Sequence, residues 1–261
     1  MSHHEIQTSS PRFASTQPTV RVDYWQQRLA EIEAQACRQD LSAIRLVFVG
    51  DSITDFWLLG DDPWTPGWVH GRRIWDDCFT GTPPENCAWN IGISGDRTEH
   101  LLKRILPASQ GGLGQLDAAS LEPEFFVLMV GINNSYMPEH PVADSVFAGI
   151  VAVMQALHAR KPHARLLLQS LLPTADTQRN TTVVLPVNAR LAALTCSTEW
   201  AAFTVWLDLY PTFVDAQGRQ RTALFVDGLH PSAAGYQVWC THLLNALAAA
   251  RAICKTVSPI A

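Results

Sequence analysis

The chain has 261 residues, 47% of them hydrophobic, with a formal charge of −5. That length supports one large core, and no shift in composition divides it. An acidic balance without a Lys/Arg cluster offers no general attraction for phosphate backbones, so nucleic acid is excluded as a partner class.

Residues 1–20, rich in Ser, Thr, Gln and Pro, read as a mobile arm, leaving 21–261 as the folded domain. The arm lacks the apolar stretch of a secretory signal, and no apolar run approaches the ~20 residues of a membrane span. The expectation is a cytoplasmic protein without stable membrane insertion. Six cysteines, Cys37, Cys78, Cys87, Cys196, Cys240 and Cys254, lack paired spacing and read as reduced, mostly buried thiols.

Helical periodicity begins near Tyr24, where Trp25, Leu29 and Ile32 recur on one face through about Cys37. A short apolar run, Ile44 to Gly50, then reads as a buried parallel strand. Similar runs follow at Ala88 to Ile91, Phe125 to Val130, Arg165 to Leu172 and Phe203 to Leu209. Helical patterns separate or follow them at Arg97 to Leu106, Val142 to Arg160, Leu185 to Thr195 and Ser232 to Ile253. Strand alternating with helix predicts an α/β fold: a three-layer, flavodoxin-like domain with a five-stranded parallel sheet. The segment Gln110 to Gly114 is Gly-rich but lacks the Lys and Ser/Thr of a phosphate loop, and reads as a connection.

Ligands of such a sheet sit beyond the carboxyl ends of the strands. Ser52, Gly95 and Asn133 each follow one of the first three strands, so they can meet although far apart in sequence. Ser52 to Asp55 alone satisfies a capping-box pattern, and an isolated Asp-x-x-His such as Asp227 to His230 is usually a surface turn. The combination is more specific. A serine hydroxyl needs a base to take its proton and a carboxylate to hold that base in the right tautomer. Ser52, His230 and Asp227 fill those roles. The N–H groups of Ser52 and Gly95 and the side-chain amide of Asn133 supply three oxyanion donors.

The blocks Gly50-Asp51-Ser52, Gly95, Gly131-Ile132-Asn133 and Asp227-Gly228-Leu229-His230 resemble those of the SGNH (GDSL) hydrolase superfamily, from about Ile44 onward. More narrowly the chain resembles the platelet-activating-factor acetylhydrolase catalytic-subunit type and its bacterial relatives, through Ile74 to Phe79, Gly95 to His100, Val130 to Asn134 and Leu171 to Pro173. That resemblance implies a serine esterase acting on small acyl groups, with the same site residues; no cofactor is expected, since the His and Cys residues show no metal-ligand spacing. Carbohydrate O-acetylesterase, lysophospholipase and thioesterase activities share these blocks; a noncatalytic ligand-binding module on the same fold is the alternative from another class.

Many superfamily members carry Asp after the oxyanion Asn, where this chain has Asn134, assigned with Trp57, Trp64 and Trp68 to the substrate site. The aromatic segment from Trp57 to Arg73 is longer than the resemblance implies. It reads as either a pocket wall or a subunit contact, which keeps a homodimer among the expected partners beside a small-molecule ester. No H-E-x-x-H or paired Cys/His spacing is present, and no metal is expected.

Overall fold

A computed structural model describes residues 13–22, 24–61 and 67–257. Its five strands, β1 (Leu46–Gly50), β2 (Ala88–Asn90), β3 (Phe125–Met129), β4 (Arg165–Gln169) and β5 (Thr204–Leu207), lie in the order β2-β1-β3-β4-β5 and pair in parallel. All five residues of β1 and of β3 are buried. Strands covered on both faces have no polar side to alternate with, which is why they appear in the sequence as continuous apolar runs.

Nine α-helical segments accompany the sheet among the described residues. These are α1 (Tyr24–Arg38), α2 (Ser52–Asp55), α3 (Arg72–Cys78), α4 (Thr98–Ile105), α5 (Val142–Arg160), α6 (Thr177–Arg179), α7 (Leu185–Thr195), α8 (Thr198–Ala201) and α9 (Ala233–Val257). A wide π turn, Asn180–Val184, joins α6 to α7. Helices α4, α5 and α7 pack side by side, whereas α3 and α9 pack together and α9 reaches β5. Three layers result, as the pattern predicts. The chain crosses from edge strand β2 past β1 to β3, so the carboxyl ends of β2, β1 and β3 adjoin where the winding reverses.

Three expectations are corrected. The last eight residues of the expected arm are fixed to the domain: Ala14–Thr16 forms a 3-10 turn, Ser15 is buried, and Ser15 Oγ donates to the Ser145 carbonyl at 2.8 Å. The polar composition of this segment serves hydrogen bonds to α4 and α5; residues 1–12 lie outside the described residues. Helix α5 is, at 19 residues, long and apolar enough to cross a membrane. Here Val146, Ile150, Val153, Met154 and Leu157 on it are buried within the domain. Finally, of the five described cysteines only Cys240 is buried, and Cys37 and Cys196 are exposed.

Candidate active site

The turn after β1 delivers Ser52 by close packing. A Cβ on Gly50 would stand 2.2 Å from the Met129 carbonyl and 2.1 Å from Thr54 Oγ1, so only glycine lets α2 fold back onto the strand ends. The cap of α2 is Asp51: its Oδ1 accepts from the Ile53 N–H at 3.1 Å. The capping-box reading assigned that role to Ser52, and the shift by one residue leaves the serine hydroxyl unengaged by the backbone. Because α2 is a single turn, it contributes local N–H groups rather than an appreciable macrodipole.

Ser52 is 4% exposed, and its Oγ lies 2.9 Å from His230 Nε2. His230 Nδ1 is 2.7 Å from Asp227 Oδ2, while Asp227 Oδ1 accepts from the N–H groups of Leu229 (2.9 Å) and His230 (2.7 Å). Burial works against the Asp227 carboxylate, but bonds from the His230 N–H, the His230 ring and the Leu229 N–H outweigh it and hold its pKa below the ordinary value. An ionised carboxylate only accepts, so Nδ1 carries the imidazole hydrogen and Nε2 accepts from the serine hydroxyl.

The loop bearing these two residues is pinned at both ends. The Gly228 carbonyl accepts from the Ala175 N–H and from Gln220 Nε2, each at 2.8 Å. Pro231 bridges back to Phe225, its carbonyl lies 3.0 Å from His70 Nδ1, and α9 begins two residues later. Phe56 packs its ring 4.9 Å from that of His230.

Opposite stand the oxyanion candidates. Gly95 has φ +77°, a left-handed conformation that favours glycine. No described residue accepts a hydrogen bond from the N–H of Ser52 or of Gly95. Asn133 Nδ2 donates one hydrogen to the Asp96 carbonyl at 2.8 Å, which fixes the amide and leaves its second hydrogen available. Asp55, in α2, accepts from the Ser94 N–H (3.0 Å) and from Arg28 Nε (2.9 Å), and so couples the nucleophile's turn to the Gly95 loop.

Two of the tentative substrate residues lie elsewhere. Trp57 is fully buried in an aromatic cluster, its ring 6.0 Å from Phe48, 4.7 Å from Tyr236 and 5.0 Å from Trp239. It belongs to the core because α2 is followed by a 3-10 turn, Phe56–Leu58, that sends Trp57 inward and leaves Phe56 beside the imidazole. Asn134 is also buried: Oδ1 accepts from the Thr98 N–H at 3.0 Å and Nδ2 donates to Glu99 Oε2 at 2.8 Å. Its role is to cap α4. Trp68 is half-buried with its ring 6.3 Å from His70, whose ring is in turn 4.9 Å from Phe56, and Trp64 lies outside the described residues.

Sequence reasoning missed the parts played by Asp51 as the cap, Asp55 as the tie to the Gly95 loop, and Phe56 and His70 behind the imidazole. Asp51 carried a visible signal, since Asp is a preferred cap and precedes the helical turn. Burial first, and then the charges of Asp96 and Asp55, push its carboxyl up to about 7 against the opposing bond from Ile53.

Residues 48–238 match the model of the GDSL-like Lipase/Acylhydrolase family. Platelet-activating factor acetylhydrolase IB subunit alpha1 of Bos taurus is 30% identical over 207 residues, covering 77% of this chain and 74% of its own. Among solved structures, a GDSL-like lipase from Bacteroides thetaiotaomicron superposes with a TM-score of 0.61 at 22% identity, over 87% of this chain and 98% of its own. A carbohydrate esterase family 3 protein from Talaromyces cellulolyticus gives a TM-score of 0.54 at 19% identity, over 82% and 100%. At those identities the two structures speak for the fold alone.

Proposed function

For this chain, which belongs to the GDSL-like lipase/acylhydrolase family and is a hydrolase acting on esters, we propose a serine esterase that removes small acyl groups through an acyl-enzyme. The observation that carries the reading is the continuous contact from Ser52 Oγ to His230 Nε2 (2.9 Å) and from His230 Nδ1 to Asp227 Oδ2 (2.7 Å).

As Ser52 Oγ attacks the ester carbonyl, its proton passes to His230 Nε2, and Asp227 stabilises the resulting imidazolium. The carbonyl π bond opens, and negative charge gathers on the oxygen facing the N–H groups of Ser52 and Gly95 and the free hydrogen of Asn133. Collapse breaks the bond to the alkoxy oxygen, which leaves as the alcohol with the proton from His230. Water then attacks the acyl-Ser52 carbonyl, giving its proton to His230, and the second collapse releases the acid and returns that proton to Oγ. Each step uses only groups of this chain, the substrate and water.

Small acyl groups are favoured because the 30%-identical relative is named an acetylhydrolase. The net charge of −5 and the absence of a basic cluster support a small uncharged ester over nucleic acid as the partner. A series of p-nitrophenyl esters tests the reading. The proposal expects kcat/KM to fall from acetyl to butyryl to octanoyl; a preference for octanoyl would contradict the acyl assignment, and equal rates for wild type and Ser52→Ala would contradict the mechanism.

A further inference from the structure

Behind the oxyanion loop, at Asp96, two guanidiniums converge on one carboxylate. Asp96 is fully buried; its Oδ2 accepts from Arg104 Nε at 2.9 Å and forms an ion pair with Arg104 Nη2 at 2.8 Å, and its Oδ1 accepts from Arg21 Nη1 at 3.1 Å. Burial raises the Asp96 pKa, while the charges and hydrogen bonds of Arg104 and Arg21 work in the opposite direction. Of the neighbouring ionisable groups, Arg97 is paired with Glu99. His100 is pushed down to about 3, by burial first and then by Arg97, Arg21 and Arg104, and is neutral. Two guanidiniums thus face a single carboxyl group.

Arg21 does more than balance Asp96. Nη1 also donates to the Ser94 carbonyl at 3.0 Å, so one guanidinium bonds the residues on both sides of Gly95. Nη2 lies 3.0 Å from the point that a Cβ on Gly95 would occupy, and thus covers the face of the loop that glycine leaves open. The carbonyl of Asp96, whose side chain Arg21 holds, is the anchor of Asn133 Nδ2. Arg21 therefore braces a loop on which two of the three oxyanion donors depend.

The residue comes from outside residues 48–238, the span shared with the family model. It is carried in by the N-terminal segment, which is tied down by the Thr19 N–H to the Glu99 carbonyl (2.9 Å) and by Thr98 Oγ1 to the Ser15 carbonyl (2.7 Å).

We propose that Arg21 is a positioning residue of the oxyanion hole, holding Ser94 to Asp96 so that the Gly95 N–H and the Asn133 amide meet the developing oxyanion, with its charge favouring that oxyanion. The proposal rests on the serine-esterase reading. Its effect should fall on the transition state: in full-length Arg21→Gln, kcat for p-nitrophenyl acetate should drop about 10- to 100-fold with KM within about twofold. The inhibition constant of a phenylboronic acid, which forms a tetrahedral adduct with the serine, should rise by the same factor by which kcat/KM falls. A purely structural residue would not produce that match.

Asp96 keeps Arg104 in this variant, so the fold should survive. Should Arg21→Gln melt well below wild type, Arg21→Lys decides. It keeps the charge but has no second nitrogen to stand over Gly95 as Nη2 does, and a kcat loss of about threefold or more at unchanged Tm supports the brace. A kcat within twofold of wild type in a folded Arg21→Gln, or in Arg21→Lys where that variant decides, overturns it. So does a change confined to KM, or a fall in kcat without weaker boronate binding. Failure of the underlying reading would look different: Ser52→Ala would retain activity, whatever Arg21 does.

Discussion

Replacing Asp51 by Asn isolates the cost of keeping a carboxyl group buried next to the nucleophile. Asp51 is 1% exposed and its pKa is pushed up to about 7. Between the ordinary Asp value and pH 7 the native state holds a proton that the unfolded chain has lost, so stability falls as pH rises through that window. Each pH unit is worth about 1.4 kcal/mol, which makes the loss about 3 kcal/mol between pH 5 and pH 8, where the unfolded chain is already ionised. Asparagine cannot ionise, yet its Oδ1 can still accept from the Ile53 N–H. Urea unfolding of both proteins at pH 5, 6, 7 and 8 reads the difference. Asp51→Asn should gain on wild type by about 3 kcal/mol from pH 5 to pH 8, with most of the gain accumulated by pH 7. A stability difference that stays constant across the series, or one that moves against Asn as pH rises, would refute the argument.

Three further outcomes follow from the site and its surroundings. Asn133→Ala should lower kcat about 10²- to 10³-fold with little change in KM, because the amide acts on the oxyanion; a rise in KM alone would put it in ground-state binding. Trp57→Ala should cost about 3–5 kcal/mol of stability in urea titration, as expected of a fully buried aromatic side chain, and a shifted acyl profile at unchanged stability would return Trp57 to the pocket. Asn134→Asp would bring a carboxylate against Glu99 Oε2 in place of the amide donor, and should lower stability at pH 8 by about 1–3 kcal/mol; an unchanged melting curve would show that the bond contributes little.

The sheet was legible because parallel strands buried on both faces leave a continuous apolar record, and the runs at Ile44 to Gly50 and Phe125 to Val130 contain β1 (Leu46–Gly50) and β3 (Phe125–Met129). Ser52, Asp227 and His230 were legible because their local spacings suit the chemistry, and the order of strands brings the distant blocks together. Trp57 was not: an aromatic residue after a nucleophile's turn has the same sequence signature whether it faces the cleft or the core, and only the 3-10 turn decides. Asn134 misled similarly, since a polar residue next to an oxyanion donor reads as part of the site, yet its amide is consumed at the Thr98 N–H and Glu99. Arg21 left no local trace, because its contact with Asp96 spans 75 residues and its own surroundings are polar in the manner of a tail.

The central claim, that Ser52 is the nucleophile activated by His230, is tested most directly by labelling with a fluorophosphonate and intact-mass and peptide analysis. One adduct per chain, located on Ser52, is predicted for wild type, with none for Ser52→Ala and labelling slowed at least about 10³-fold in His230→Ala. An adduct on another residue, or undiminished labelling of folded His230→Ala, would contradict the account.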